Sequence, residues 1–348
     1  MKYLHVLTLL FLFSCGTTRQ SSIEKPNPNA LIDITHAPID ARKQLQTITF
    51  GSCNKENEPQ PFWTEMQPLK PDLWIWLGDN IYADTNEDKV FRAKYNRQLS
   101  NKDYAKFVRR TPVVGIWDDH DYGVNNGGKE FAQKDIAKAA MLDFLQVPTK
   151  AEVRKREGAY QSYTFGKGDT QVKVILLDSR YFRDAPIREN RNYIPNETGM
   201  ILGAAQWKWL ENELKNSNAK IHLIANGIQV LQEEHAYEKW ENFPNERQKL
   251  LDLLIEYQVD TPILLSGDRH ISEFARMEYK GKSIVEFTSS GLTHSYDALE
   301  SEPNKHRVGK LITSLSYGCM MIDWSGEIPK VTLQIRGKGN KVLEEIRF

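Results

Sequence analysis

A chain of 348 residues with 46 Lys and Arg against 46 Asp and Glu carries no formal net charge, which excludes a general electrostatic pull toward nucleic acid or anionic lipid. The length supports one large domain or two medium ones around a substantial core. An apolar fraction of 40% with 10% aromatic residues excludes a disordered chain and fits a globular one.

The N-terminus stands apart. Lys2 precedes an apolar run from Tyr3 to Phe13. That run is shorter than the ~20 residues of a spanning helix and has the length of a signal-peptide core. Leu12–Cys15 (LFSC) resembles a bacterial lipobox, although Phe13 is bulkier than the usual small residue. Residues 1–15 are therefore expected to be a signal peptide, with Cys15 lipidated. A plain secretory signal is the alternative. Gly16 after the cysteine favours the outer membrane over retention, so the expected location is the bacterial periplasm or the outer membrane, held through a lipid anchor at Cys15. Residues 16–44 are polar and contain prolines but no sustained periodicity, and are expected to be a flexible tether.

From residue 45 to 348, strand and helix signals alternate with no second linker, as a single catalytic domain would. Gln46–Gly51 and Leu73–Gly78 read as buried strands, followed by helix-compatible stretches at Asn86–Leu99 and Lys102–Arg110. Pro112–Trp117 is the next strand and Phe131–Leu145 an amphipathic helix. Tyr160–Phe165 and Gln171–Leu177 form a hairpin-like pair. Helix Gly203–Asn216, strand Ile221–Ala225, helix Asn245–Tyr257 and strand Pro262–Ser266 follow. Consecutive short strands then run at Glu273–Tyr279, Ser283–Thr288, Ser316–Asp323 and Lys330–Arg336. This order predicts an α/β sandwich with helices outside, whose site lies beyond the carboxyl ends of strands.

The chemistry-bearing residues cluster at such ends. In LGDNIY, Gly78 permits a sharp turn that turns Asp79 outward, and Tyr82 can fold back toward the same point. A carboxylate can bridge two cations, and a phenolate suits a hard trivalent ion. Cys53 in FGSCN ends another strand. It is a candidate thiolate ligand, a partner for Cys319 in a disulfide, or an inert buried thiol; Cys319 itself reads as a core residue. In IWDDHD, Asp119 and His120 are the candidate ligands, with Asp118 and Asp121 as supporting or turn residues. In LSGDRH, Asp268 and His270 are spaced i and i+2 and are expected to point to one side of extended backbone. Arg180 after LLDS is a candidate phosphate clamp, against a surface ion pair with Asp178 or Asp184. Asn226 in LIANG is a candidate neutral oxygen ligand, and Gln229 a weaker one. His294 is a candidate for the pocket rim, whereas His36, His222 and His235 read as ordinary histidines. No G-x-S-x-G elbow occurs, which leaves Ser289–Ser290–Gly291 a weak nucleophile candidate.

Taken in order, FGSCN, LGDNIYAD, IWDDHDYG, LLDSRYFR and LSGDRH resemble the PhoD-like (alkaline phosphatase D) metallophosphatases, from about Thr47 to Arg276. The resemblance implies the four-layer calcineurin-like metallophosphoesterase sandwich and a phosphatase that cleaves phosphomonoesters or phosphodiesters with a metal-activated hydroxide, which the N-terminal signal leads one to expect as an exported enzyme. It implies iron(III) held by Cys53, Asp79, Tyr82 and His270. Asp79 would bridge to calcium, held by Asp119 and Asp268 with Asn226 as a weaker addition. Manganese, zinc and magnesium are the alternative occupants. His120 would lie beside the scissile phosphate and Arg180 on its oxygens. The sequence departs from the family at Ala83 and Asp121, where Glu is common, and only the tether precedes Thr47 where many members carry an N-terminal β-domain. A phosphodiesterase or phospholipase D-type hydrolase is the nearest alternative, and a non-catalytic metal-binding surface lipoprotein the alternative from another class. A monomer without nucleic-acid-binding surface is expected.

Overall fold

The computed structural model describes residues 30–190 and 192–348; the expected signal peptide, Cys15 and the first part of the expected tether lie outside them. The chain opens with β1 (Thr47–Gly51), a short helix α1 (Phe62–Glu65) and β2 (Leu73–Leu77). All five residues of β2, LWIWL, are buried, as expected of a parallel strand covered on both faces. Helices α2 (Asp88–Ser100) and α3 (Lys102–Val108) lead to β3 (Val113–Ile116), then α4 (Asp119–Tyr122) and α5 (Lys134–Phe144). Asn101 begins α3 by accepting hydrogen bonds from the backbone N–H groups of Asp103 and Tyr104, which satisfies two donors that a helix start otherwise leaves open.

The second half supplies the other sheet. β4 (Gln161–Phe165) and β5 (Val172–Leu176) pair antiparallel, and a small hairpin of β6 (Ile187–Glu189) and β7 (Asn192–Ile194) follows. Next come α6 (Gly203–Lys215), β8 (Ile221–Ala225), α7 (Pro244–Glu256) and β9 (Pro262–Ser266). The run of strands is β10 (Ser272–Tyr279), β11 (Lys282–Ser289), β12 (Arg307–Ile312), β13 (Ser316–Asp323), β14 (Lys330–Gly337) and β15 (Val342–Arg347). Among the described residues one sheet has the order β15-β14-β13-β1-β2-β3 and the other β12-β10-β11-β9-β8-β5-β4.

The inner faces of the two sheets meet through aromatic contacts. Phe50 of β1 packs edge-on against Phe287 of β11 at 4.8 Å between ring centres, and Phe274 of β10 joins it at 4.5 Å. Outside the first sheet, Trp74 and Trp76 pack against Trp63 of α1, Phe107 of α3 and Phe144 of α5. These tryptophans are core, as their strand position implied. Outside the second sheet, α6 and α7 bury Leu210, Leu214, Leu250 and Leu254 over Ile175, Ile224 and Leu264. The result is the helix–sheet–sheet–helix sandwich expected from the alternation.

Two features differ from expectation. Residues 30–44 do not hang free: Ile34 is buried, and Ile34 O accepts from Gln146 Nε2 at 2.6 Å. Ala37 N donates to Val108 O, and Ala41 O accepts from Gly166 N. A few apolar anchors and backbone hydrogen bonds fasten this strap where composition alone read as a tether. The edge strands β12 and β15 are the second difference, since charged residues interrupt their two-residue alternation in the sequence.

Candidate metal centre

Parallel strands β1, β2 and β3 end at one edge of the first sheet, and β5, β8 and β9 end at the same edge of the second. The chemistry-bearing turns all leave from there. Gly78 (φ +94°) makes the first sharp turn, and a Cβ at that position would lie 2.4 Å from Asp118 Cβ. Cys53, Asp79, Asp268 and His270 also hold positive φ, at 60°, 49°, 64° and 53°. Left-handed backbone costs a non-glycine residue roughly 1–2 kcal/mol. Concentrating it in four neighbouring residues aims their side chains inward at the expense of local stability. The expected extended spacing of Asp268 and His270 is therefore corrected: they converge through a coiled turn, with Arg269 N donating to Gly267 O at 2.7 Å.

Asp79 is the hub. Its Oδ2 lies 3.3 Å from Cys53 Sγ and 3.2 Å from the Tyr82 hydroxyl, and that hydroxyl lies 3.1 Å from His270 Nε2. Its Oδ1 accepts from His120 N at 3.4 Å. Three overlapping groups of possible ligand atoms result: Cys53, Asp79 and His270; Asp79, Asp119 and His120; and Asp118, Asp119 and Asp268. All members except His120, Asp268 and His270 are buried.

Burial dominates the charge state of this cluster. Burial pushes Asp79 and Asp118 well above the usual carboxylate range, and Asp119 beside them adds to the effect at Asp79. Burial and the Asp119 carboxylate raise Asp268 to about 7. Burial and the Asp79 carboxylate likewise raise the Cys53 thiol and the Tyr82 phenol. Among these acids Asp119 alone is lowered, because Arg180 and His120 outweigh its burial. Burial also drives His270 down to about 3, so its imidazole is neutral and has a lone pair to give. Asp118 Oδ2 and Asp119 Oδ1 are buried without any hydrogen-bond partner. Buried anionic oxygens are normally paired or coordinate a metal, so these residues fit cations.

His120 faces the cluster from α4. Its Nδ1 pairs with Asp84 Oδ1 at 2.7 Å, and its ring lies over Tyr82 at 4.2 Å between centres. Burial opposes its protonation, yet Asp84, Asp79 and Asp119 together raise it to about 10. His294 sits at the rim as expected, its ring 4.3 Å from that of His270 and 5.0 Å from that of Tyr82.

Two expected site residues are turned elsewhere. Arg180 is fully buried, with Nε on Asp118 Oδ1 at 2.5 Å and Nη1 on Glu238 Oε2 at 2.5 Å. It stands behind Asp118, and its guanidinium pairs with neither Asp178 nor Asp184, although its backbone N–H donates to Asp178 Oδ1 at 3.0 Å. Two buried acids hold it there, and removing one member of such a group strands the other charges. Asn226 Oδ1 accepts from Trp240 Nε1 at 2.9 Å and Ile228 N at 3.3 Å. That oxygen braces a loop instead of facing the carboxylates. Gln229 likewise braces Glu273, Thr288 and His235. Cys53 and Cys319 are both free and buried, with no disulfide between them.

Sequence reasoning did not place Asp84 and Glu238, gave Asp118 only a supporting role, and named Ser290 only as a weak nucleophile candidate. Ser290 Oγ lies 3.0 Å from Cys53 Sγ and accepts from His270 N at 2.7 Å, so it ties two ligand candidates together. Asp121 accepts from the N–H groups of Asp118, Asp79 and Asn80, the turn role expected of it. A cavity of about 550 Å³ opens at the opposite sheet edge, near Leu45, Asp72, Phe107 and Thr111. No candidate ligand lines it, and it has no part in the site.

Comparisons with known proteins agree with this fold. A family model described as PhoD-like phosphatase matches residues 48–318. Alkaline phosphatase D of Bacillus subtilis (strain 168) is 23% identical, over 65% of this chain and 46% of the relative. The chain thus spans less than half the length of that relative. The structure described as that of PhoD superposes with a TM-score of 0.70 at 17% identity, covering 90% of this chain and 70% of that one. GAP50, the anchor in the inner membrane complex of Plasmodium, gives 0.58 at 12% identity over 88% of this chain and 89% of that one. A dimetal phosphatase from Danio rerio gives 0.54 at 12% identity over 88% and 99%.

Proposed function

Because this chain belongs to the PhoD-like phosphatase family, we propose that it hydrolyses phosphate esters at the Asp79-centred cluster, as an exported enzyme. The fold alone does not decide this, since it is shared with an anchor protein as well as a dimetal phosphatase. The observation that carries the reading is the meeting of Cys53, Tyr82 and His270 around Asp79, with Asp119, Asp118 and Asp268 alongside.

Cys53, Asp79, Tyr82 and His270 suit iron(III), and Asp79, Asp119, Asp118 and Asp268 suit calcium, with manganese, zinc or magnesium as alternatives. Such cations supply Lewis acidity, which makes water more acidic and neutralises charge on phosphoryl oxygens. The chain's own residues do the rest. Asp84 holds His120 Nδ1, which orients the ring and leaves Nε2 to face the substrate. The Asp84 carboxylate on Nδ1 favours the protonated ring whether or not cations occupy Asp79 and Asp119, so His120 can pass a proton to the departing alkoxide. General acids of this kind contribute roughly 10²–10⁴-fold. Arg180 is a positioning residue, fixing Asp118 and offsetting its charge.

The test is a panel of monoester, diester and phospholipid substrates offered to the metal-loaded protein. Hydrolysis of phosphate esters is expected, and turnover of none of them would sink the proposal. Asp84→Asn should move the alkaline limb of the rate profile to lower pH, because a neutral amide favours the protonated ring less than the Asp84 carboxylate does. An unmoved limb would remove His120 as the acid. A lipid anchor at Cys15 belongs to the same reading. Cys15→Ser should shift the protein from the membrane to the soluble fraction of its host, and an unchanged distribution would count against the anchor.

A further inference from the structure

Tyr237 and Tyr296 are large aromatic residues left 49% and 41% exposed. They come from separate loops, between β8 and α7 and between β11 and β12. Their rings nonetheless lie 6.5 Å apart between centres and only 27° from parallel. Single exposed aromatics need no explanation. A near-parallel pair assembled from two loops beside a candidate active site is different.

Both rings are fastened to the turn that supplies Asp268 and His270. Tyr296 N donates to His270 O at 2.9 Å, and its ring is 4.9 Å from the His270 ring. Tyr237 lies over the guanidinium of Arg269 at 4.2 Å. Arg269 is buried and held by Glu302 at 2.6 Å. Tyr237 N also donates to His235 Nδ1 at 3.1 Å, and His235 Nε2 is fixed by Gln229 Oε1 at 2.9 Å. The shelf is thus set before any ligand arrives, which limits the ordering cost of binding.

We infer that Tyr237 and Tyr296 form the subsite for the leaving group, and that the favoured esters carry a planar aromatic ring close to the phosphoryl group. The inference rests on the phosphate-ester reading. At 6.5 Å between centres and 27° between planes the two rings form an offset pair, and their exposed faces offer the ester's ring a surface to stack on. The ring could belong to an aryl phosphate or to a nucleotide, since either presents a π-face to stack.

The experiment compares kcat/KM of the metal-loaded protein for phenyl phosphate, a nucleoside 5′-monophosphate and glycerol phosphate, in wild type, Y237A, Y296A and Y296F. Each alanine variant should lose about 5- to 100-fold on the ring-bearing esters and nothing on glycerol phosphate, while Y296F keeps most of the preference. Loss on only one ring-bearing ester would identify the source of the ring. Equal losses on all three esters, or none, overturn the inference. Calorimetric binding of phenylphosphonate against methylphosphonate separates this idea from the phosphatase reading. Tighter phenylphosphonate binding that vanishes in Y237A supports the subsite even if no ester is turned over. Equal affinities, or no binding of either, overturn it.

Discussion

Asp79→Asn is expected to lower ester hydrolysis by about 10³-fold or more while raising the thermal stability of the metal-free protein. Both effects come from one carboxylate. Asp79 Oδ2 is within 3.3 Å of Cys53 Sγ and 3.2 Å of the Tyr82 hydroxyl, so it is the shared member of both halves of the candidate centre. An amide cannot bridge cations as a carboxylate does. It keeps the shape, however, and asparagine tolerates the left-handed backbone that Asp79 holds at φ 49°. It also removes a carboxyl that burial keeps protonated, and with it the cost of holding that proton at a pH where the unfolded chain releases it. Activity assays and melting curves on the same preparations check this. Retained turnover would contradict the bridging role, and a collapsed fold would contradict the account of its backbone.

The second large effect concerns metal removal. The stripped protein is expected to lose stability steadily as pH rises from about 6.5 to 9. Above the unfolded-state histidine value of about 6.5, the neutral imidazoles of His270 and His294 contribute no further slope. In that range the folded state still holds protons that the unfolded chain has released. Asp121 and Asp268 sit at about 7, His120 at about 10, and Asp79 and Asp118 well above the carboxylate range. A folded state that binds more protons becomes less stable with rising pH, by about 1.4 kcal/mol per pH unit for each proton retained. Loading with metal should reverse the slope, because ligands bind in their deprotonated forms. Melting temperatures at several pH values, with and without chelator, test the sign. A stripped protein that becomes more stable over this range would contradict the picture of uncompensated buried acids.

How much of this was legible depended on whether the signal was local. The buried run LWIWL announced a doubly covered strand because five consecutive apolar residues leave no polar face. Gly78 announced its turn, and the acids after β2, β3 and β9 announced an edge rich in ligands. The i, i+2 reading of Asp268 and His270 failed on mechanism, since β9 ends at Ser266 and the next residues coil through left-handed conformations. Arg180 was misplaced because its partner Glu238 lies 58 residues further on, with no sequence mark linking the two. Ser290 bridges Cys53 and His270 only because the two sheets stack. The strap at residues 30–44 was hidden for a similar reason, as Ile34 finds its contacts more than a hundred residues away.

The measurement that bears most directly on the central claim is metal analysis of the purified protein with a visible spectrum on the same sample. The account predicts tightly bound metal, with iron near one per chain and a tyrosinate charge-transfer band that disappears in Tyr82→Phe. Metal without that band would keep the hydrolytic centre and remove the iron assignment. No bound metal under any loading condition would contradict the reading of Cys53, Asp79, Tyr82 and His270 as a metal site.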